Sequence, residues 1–229
     1  MRYGSYLLAA LLVAATCVIG AYSADTANTS EEPQAQVSQD QPVPGDLLYS
    51  EDFSSSKSGW TYTSDEYFKK SFKNGIYHLT IVPPDYWNWV SGPSRLNFTD
   101  FILEVEATKE AGPDDNVFGL LVRKVDVGNY YAFLLSSDGY YQIAKRENNS
   151  WSYASEWTKS DAIKTGNSTN LIKITGEGDR LALYANDVKL TDYNDSSFAY
   201  GGLGLYVGTQ SEGNVTIGFD NLKVWSIKE

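Results

Sequence analysis

The chain has 229 residues, with 29 Asp or Glu against 18 Lys or Arg, so its formal net charge is −11. An acidic surface repels phosphate groups, which argues against nucleic acid and anionic membrane surfaces as partners. The length fits one folded domain behind an N-terminal extension. The chain holds 17 Tyr, 9 Phe and 6 Trp and no long stretch of helical periodicity, which favours an all-β fold.

Residues 1–23 have the pattern of an export signal. Arg2 supplies a positive start, residues 6–20 are apolar, and the small residues Ala21 and Ser23 predict cleavage after Ser23. The alternative is a retained anchor, because about 20 apolar residues are enough to span a bilayer. Either way the sequence predicts an extracytoplasmic protein, secreted or tethered at the cell surface.

The single cysteine, Cys17, lies within this segment. The rest of the chain therefore contains no disulfide, no Cys metal site and no thiol nucleophile. A lipid-modified cysteine is the alternative to an ordinary apolar position, but the preceding Ala14-Ala15-Thr16 fits a lipobox poorly.

Residues 24–46 are predicted to be a disordered spacer. They contain no aromatic residue, no Lys and no Arg, and they include Pro33, Pro42 and Pro44. Such a segment cannot bury enough apolar surface to offset its ordering entropy. The folded domain is predicted to occupy residues 47–229.

Two apolar runs, Val117–Val125 and Tyr130–Leu135, are joined by the turn sequence Asp126-Val127-Gly128-Asn129. This pattern predicts a β-hairpin. Almost every residue in both runs is apolar, which predicts a central strand pair covered on both faces. Arg123 is a charged residue inside this predicted buried pair, so its position needs an explanation.

Other short β-prone runs fill the rest of the domain. Strands are predicted at 47–53, 67–72, 75–82, 98–108, 140–146, 170–176, 180–186, 202–208 and 214–225, with a loop or edge strand at 85–93. Turn sequences such as Lys73-Asn74-Gly75 recur between them. About a dozen short strands with such turns indicate a β-sandwich.

Eight segments carry a resemblance to a known group of domains. They are EDF (51–53) followed by Gly59-Trp60, NGIYHL (74–79), DFILEVEA (100–107), PDDNVFGLLVR (113–123), NYYAFLLSSDGYYQIAK (129–145), TGNSTNLIKI (165–174), GGLGLYVGT (201–209) and FDNLKVW (219–225). Together they resemble the concanavalin A-like or laminin-G-like jelly-roll domains of exported prokaryotic proteins, which are related to 3-keto-disaccharide hydrolase-type domains.

The resemblance implies an all-β, two-sheet antiparallel jelly-roll sandwich with the first and last strands adjacent. It also implies a concave sheet face, on which many relatives bind carbohydrate. It does not define a function, since the superfamily includes lectins, glycosidases, adhesion modules and structural domains.

Aromatic residues near turns and strand ends are the first candidates for a binding site. They are Tyr86, Trp87, Trp89, Tyr140, Tyr141, Trp151, Tyr153 and Trp157. Flat rings stack on the C–H faces of sugars, although aromatics also pack the core and rim of β-sandwiches. Trp87 and Trp89 are separated by two positions, so they should share one strand face. The predicted ligand-binding residues are Trp87, Trp89, Arg123, Tyr131, Tyr141 and Trp157.

Arg123 has two interpretations. Its planar guanidinium could bond sugar hydroxyls or a carboxylate of the ligand. Alternatively, it pairs inside the protein with an acidic neighbour such as Glu104 or Glu106, because a charge in the middle of a sheet needs a partner.

A catalytic site is weakly indicated. Glu104 and Glu106 share one strand face, whereas a glycosidase places its two carboxyl groups on either side of the bond to be cleaved. The Glu-x-Asp-x-x-Glu motif of laminarinase-type jelly-roll enzymes is absent from the sequence. The sole histidine, His78, has no nucleophile motif near it, and its alternation indicates a sheet position.

Asp52 and Asp220 flank the predicted first and last strands. If these strands are neighbours, both carboxylates and nearby carbonyl groups would suit a structural calcium ion. The alternative is ordinary turn capping by Asp. Six Asn-x-Ser/Thr sequons also occur, which are glycosylation sites only in a suitable exporting organism: Asn28, Asn97, Asn148, Asn167, Asn194 and Asn214.

Three functional hypotheses remain open from the sequence. The first is a non-catalytic extracytoplasmic module that binds carbohydrate or a cell-surface ligand. The second is a glycosidase-like hydrolase that uses Glu104, Glu106 or Asp115. The third is a structural or adhesion module without a small ligand.

Overall fold

The computed structural model describes residues 41–228, which form two antiparallel β-sheets and contain no helix within that range. The predicted signal segment and most of the predicted spacer lie outside the described residues. The first strand begins at Pro44, slightly before the predicted domain start at Leu47. In this part of the chain no helix is long and apolar enough to cross a membrane.

Fifteen strands make up the two sheets of the described part. They are β1 (Pro44–Glu51), β2 (Phe68–Lys73), β3 (Ile76–Ile81), β4 (Trp87–Ser91), β5 (Phe101–Ala111), β6 (Asn116–Lys124), β7 (Tyr130–Leu135), β8 (Tyr140–Glu147), β9 (Ser150–Tyr153), β10 (Thr158–Lys159), β11 (Thr169–Glu177), β12 (Arg180–Ala185), β13 (Val188–Asn194), β14 (Gly202–Thr209) and β15 (Val215–Ile227).

Sheet A has eight strands in the order β13-β12-β11-β5-β15-β3-β2, and β1 also pairs with β15. Sheet B has seven strands in the order β10-β8-β7-β6-β14-β4, and β9 pairs with β8. Glu51 of β1 lies opposite Leu222 of β15, so the first and last strands are neighbours. The predicted all-β jelly-roll sandwich is confirmed.

The main hydrophobic core lies between the two sheets. Alternate residues of each strand enter it, as the two-residue period of a strand requires. On β5 these are Phe101, Leu103, Val105 and Ala107. On sheet B the inward set includes Phe133 of β7 and Leu205 of β14.

The hairpin β6–β7 is central in sheet B and buried on both faces, as predicted. Its turn is closed by the Val125 N–H donating to the Asn129 carbonyl at 3.0 Å. The Gly128 N–H donates to Asp126 Oδ1 at 2.7 Å. Strands β9, β10 and β13 were not predicted, because their mostly polar, exposed residues carry little β pattern.

Candidate ligand-binding groove

The face of sheet B that points away from sheet A carries its own apolar cluster. Its residues alternate with those of the main core, so they lie on the opposite side of the same strands. The buried members are Val117, Leu121, Tyr130, Ala132, Leu134, Ala144 and Tyr206, with Trp89, Trp151 and Trp157 packed against them. Aromatic side chains, and not a third sheet, therefore cover this outer face.

Trp87 is at the centre of these rings. Its ring stacks on Trp89, with centroids 5.7 Å apart and an interplanar angle of 19°. It also stacks on Tyr206 at 5.9 Å and meets the edge of Trp151 at 5.7 Å. The side chain nevertheless remains 39 % exposed. The edge strand β4 thus presents a tryptophan that is fixed by its neighbours and open to solvent.

A groove with a volume of about 360 Å³ runs along this face. The residues that line it are Asp85, Trp87, Val117, Leu134, Gln142, Ala144, Trp151, Tyr153, Trp157, Tyr206, Gly208, Thr209 and Gln210. Valine, leucine and alanine side chains and the aromatic rings form apolar surface, while Gln142, Thr209 and Gln210 add hydrogen-bonding groups. We refer to this site as the aromatic groove.

A second groove of about 260 Å³ adjoins the aromatic groove and shares Trp157 and Gln210 with it. It is lined in addition by Asp115, Asn116, Ser136, Asp138 and Tyr140. We refer to it as the acidic groove. The two grooves together form a longer surface than one sugar ring would fill.

Two carboxylates influence each other in the acidic groove. Burial, and then the negative charge of Asp138, raise the pKa of Asp115 above its usual range. Asp138 Oδ1 is buried and accepts no hydrogen bond from the described residues. Burial and the neighbouring charge therefore both favour the protonated form of Asp115.

Three of the predicted ligand-binding residues lie in the outer aromatic cluster: Trp87, Trp89 and Trp157. Trp87 and Trp157 line the aromatic groove itself, while Trp89 supports the ring of Trp87 from behind. The position of Trp87 and Trp89 on one strand face follows from their spacing.

Two predicted residues, Tyr131 and Tyr141, point into the main core instead. The Tyr131 hydroxyl donates to Asp195 Oδ1 at 2.7 Å, and the Tyr141 hydroxyl donates to the Leu190 carbonyl at 3.2 Å. Their prediction as groove residues is corrected, because their strands alternate the other way and their hydroxyl groups are used inside the protein.

Arg123 is also an internal residue, and only 1 % of it is exposed. Its guanidinium donates to the carbonyl oxygens of Phe198 (3.1 Å), Thr99 (3.1 Å) and Gly178 (2.7 Å). Asp100 lies 3.9 Å away. The groove-facing role is therefore corrected, because the protein itself uses these donors.

The alternative, an internal pair with an acidic neighbour, holds for Asp100 but not for the two glutamates that were named. Glu104 pairs with Lys173 at 3.0 Å, and Glu106 accepts a hydrogen bond from Asn221 at 3.1 Å. Both glutamates belong to β5 of sheet A, and Arg123 belongs to β6 of sheet B. Glu104 and Glu106 therefore lie on a different sheet from the aromatic groove and have no role in it.

A bulge explains why Arg123 turns inward. Leu121 opposes Gly204 and Lys124 opposes Gly202, so β6 has one more residue than β14 over this stretch. Arg123 adopts a positive φ of 46° in the bulge. The extra residue breaks the alternation, which would otherwise have placed Arg123 on the outer face next to Leu121.

The predicted metal ligands cap turns. Asp52 Oδ1 accepts hydrogen bonds from the Ser54 N–H at 3.0 Å and the Ser54 hydroxyl at 2.7 Å. Asp220 Oδ1 accepts from the Asn221 N–H at 2.7 Å. In residues 41–228 no three His, Cys, Asp or Glu side chains are grouped closely enough to hold a metal ion.

The sequence interpretation missed several residues of this face, among them Tyr206, Arg146 and the groove residues Gln142, Thr209 and Gln210. Tyr206 could have been identified from its neighbours, since Gly204 and Gly208 share its strand face and leave space around the ring. Arg146 gave no such signal, because it lies among other charged residues at the end of β8.

Comparison with known proteins gave no matching family model and no matching curated protein. Solved structures do match. A carbohydrate-binding module (CBM66) from Bacillus subtilis has a TM-score of 0.60 and 23% identity, over 74% of this chain and 96% of that one. A protein of unknown function with a galectin-like fold, also from Bacillus subtilis, has a TM-score of 0.60 and 12% identity, over 82% and 100%.

The matches extend to an enzyme. The catalytic domain of an endo-1,3-beta-glucanase (laminarinase) from Thermotoga petrophila RKU-1 has a TM-score of 0.58 and 9% identity, over 82% of this chain and 100% of that one. Binding modules and hydrolases thus share this architecture. At these identities the likeness shows the jelly-roll sandwich fold, and the specific family suggested by the sequence remains a prediction.

Proposed function

We propose that the chain is an exported, non-catalytic module that binds a saccharide in the aromatic groove of sheet B. Trp87 is the observation that carries this proposal. A tryptophan held at fixed orientation by Trp89 and Tyr206, yet 39 % exposed, offers a flat surface at little entropic cost.

The groove fits such a ligand in size and chemistry. Its volume of about 360 Å³ falls within the usual range for small-molecule sites, about 300–1,000 Å³. Aromatic rings would contact the C–H faces of a sugar, and Gln142, Thr209 and Gln210 would bond its hydroxyl groups. A module of the same fold that binds carbohydrate supports this assignment by analogy.

The carboxylate positions favour binding over hydrolysis. Asp85 is the only carboxylate among the residues that line the aromatic groove. A glycosidase of the usual type needs two carboxyl groups that flank the scissile bond. The glutamates considered from the sequence, Glu104 and Glu106, are on sheet A.

A hydrolase that uses the acidic groove is the second candidate. Asp115 has a raised pKa beside Asp138, and this pair adjoins the aromatic groove through Trp157. A carboxyl group with a raised pKa beside a second carboxyl group is an arrangement that general acid catalysis can use. In that case Asp115→Asn and Asp138→Asn would abolish sugar release from a bound polysaccharide without weakening its binding.

Binding is tested by screening the full chain against a panel of cell-wall, storage and host glycans. We expect at least one ligand, and a loss of at least tenfold in affinity for Trp87→Ala, measured by calorimetry. Tyr62→Ala is the matched control, because Tyr62 is 63 % exposed and does not line the groove. An unaltered affinity of Trp87→Ala would overturn the proposal. If no glycan of the panel binds, the structural or adhesion hypothesis is favoured.

Export is tested separately by expressing the chain with its own N-terminus and determining the N-terminal residue of the product. Cleavage after Ser23 with release from the cell, or retention on the outer side of a membrane, supports the proposed location. An uncleaved product in the cytoplasm contradicts it.

A further inference from the structure

Arg146 lies in the corner formed by two tryptophans of the aromatic groove. Its Cζ atom is 5.7 Å from the ring centroid of Trp87 and 5.6 Å from that of Trp151. These two rings are nearly perpendicular, at 88°. Both tryptophans line the groove, whereas Arg146 does not line it and is held next to it by cation–π contacts with their rings.

The protein provides Arg146 with no acceptor for its buried nitrogen. Its Nε is buried and makes no hydrogen bond to any described residue. The hydroxyl of Tyr130 lies directly opposite on β7; burial raises the pKa of this hydroxyl, and its contact with the guanidinium of Arg146 partly opposes that rise. A buried Nε without an acceptor is rare in a folded protein and needs an explanation.

Arg146 also has no carboxylate partner. None of the ion pairs among residues 41–228 includes it, although the chain has an excess of acidic residues. The neighbouring Lys145 pairs with Asp195 at 2.9 Å and Glu147 at 3.2 Å. Nearby acids therefore neutralise Lys145 and leave the positive charge of Arg146 to the aromatic rings.

We propose that Arg146 binds an anionic group, a carboxylate or a sulfate, on the saccharide in the aromatic groove. This inference rests on the proposed function and names its ligand class. The planar guanidinium matches a carboxylate or sulfate with paired hydrogen bonds. The two tryptophans fix the orientation of the guanidinium before the ligand arrives, which reduces the entropy lost on binding.

The acidic residues nearby fix where the anionic group binds. Asp115 and Asp138 line the acidic groove, on the far side of Trp157, and they repel an anion there. Asp85 lines the aromatic groove and disfavours an anion near itself. The corner between Trp87 and Trp151 is the part of the groove that borders a cation without a carboxylate partner among the described residues. The remaining negative charge of the chain is screened beyond about 8 Å at physiological ionic strength.

The test uses polysaccharides that differ only in their charge. Polygalacturonate is compared with its methyl ester, and heparin with its desulfated, N-acetylated form, by calorimetry on the full chain. We expect at least one charged form to bind at least tenfold more tightly than its uncharged counterpart, and this preference to shrink as salt increases.

Arg146→Gln should remove the preference for the charged form and leave binding of the uncharged form within about twofold, whereas Arg146→Lys should retain part of the preference. Arg95→Gln is the matched control, because Arg95 also stacks on an aromatic ring, that of Tyr49, and does not line the groove. Thermal unfolding verifies that each variant is folded.

The outcomes separate the two proposals. Equal binding of charged and uncharged forms, or an equal loss of both in Arg146→Gln, overturns the role of Arg146 and leaves saccharide binding intact. If only neutral glycans bind, the role of Arg146 is likewise overturned and saccharide binding still stands. Failure to bind any glycan, charged or neutral, overturns both proposals.

Discussion

Each face of sheet B has an aromatic cluster and an arginine, but the two faces satisfy them differently. On the inner face, the Tyr131 hydroxyl donates to Asp195 and Arg123 donates to three carbonyl oxygens. On the outer face, Arg146 donates to no carbonyl or carboxylate of the described residues, and its guanidinium contacts the rings of Trp87 and Trp151. The Nε atoms of both arginines are buried without an acceptor, so the faces differ in the rest of each guanidinium: that of Arg123 is bonded to the protein, and that of Arg146 is left to the rings.

This difference indicates which face serves stability and which serves binding. Buried polar groups that are fully paired hold a fold together, and removing one partner is costly. A buried polar group without a partner costs free energy in the free protein, and a ligand that pairs with it recovers that cost. Residue type alone does not separate the two roles, because tyrosine, arginine and apolar residues occur on both faces.

The largest effect is expected in the inner aromatic core. Phe133→Ala should lower the free energy of unfolding by about 3–5 kcal/mol, because it leaves a cavity among fully buried side chains. Urea titration measures it. Trp87→Ala on the outer face should lose no more than about 2 kcal/mol, since its ring is partly exposed. If Phe133→Ala and Trp87→Ala lost the same unfolding free energy, the two faces of sheet B would not differ in their contribution to stability.

The second-largest loss of stability is expected on replacing Arg123, the arginine of the inner face. Arg123→Met keeps most of the side-chain volume and removes the donors to Phe198, Thr99 and Gly178. The free energy of unfolding should fall by about 3 kcal/mol, because three carbonyl oxygens then lack a partner. A variant as stable as the wild type in urea would show that these bonds do not hold the two sheets.

The pairing of Tyr131 with Asp195 predicts a pH-dependent effect. Burial of Asp195 opposes its ionisation, but hydrogen bonds from Tyr131, Lys145 and Ser197 outweigh this and hold its pKa well below the usual range. Because the folded pKa is depressed, the stabilisation is complete above the unfolded pKa of about 3.9 and is lost as pH falls through the folded pKa.

Asp195→Asn should therefore lower the free energy of unfolding at pH 7 by about 1–2 kcal/mol. The difference from the wild type should shrink steadily as the pH falls below about 4. Urea titrations between pH 7 and pH 2 measure both values. A difference that stays constant over this range would assign the effect to packing instead of charge.

The smallest effect on stability is expected at the outer arginine. Arg146→Gln should lower the free energy of unfolding by only about 1 kcal/mol, the scale of its cation–π contacts with Trp87 and Trp151, because it pairs with no carbonyl or carboxylate of the described residues. Arg123→Met is measured in the same urea series. Since both variants replace an arginine, a difference between their losses of unfolding free energy reports the surroundings of each arginine. A loss at Arg146 that matches the loss at Arg123 would contradict the division between the faces.

The sequence was sufficient for the fold, because most strands alternate clearly or are bounded by turn residues. It was also sufficient for Trp87 and Trp89, whose spacing places them on one face of an edge strand. The sequence could not show which way Tyr131 points. Every residue of β7 is buried, so no alternation of polar and apolar residues distinguishes its two faces. Arg123 was misplaced by a bulge, which depends on the pairing of β6 with β14 and has no local sequence signal.

The central claim is that the outer face of sheet B binds a saccharide. The indole N–H resonances of the six tryptophans test it directly, because Trp60 lies in the core and donates its N–H to the Tyr49 hydroxyl at 3.1 Å. On titration with a glycan that binds, we predict that the resonances of Trp87, Trp151 and Trp157 shift and that the resonance of Trp60 does not. Shifts at Trp60 or Trp225 with the groove tryptophans unchanged would contradict the account.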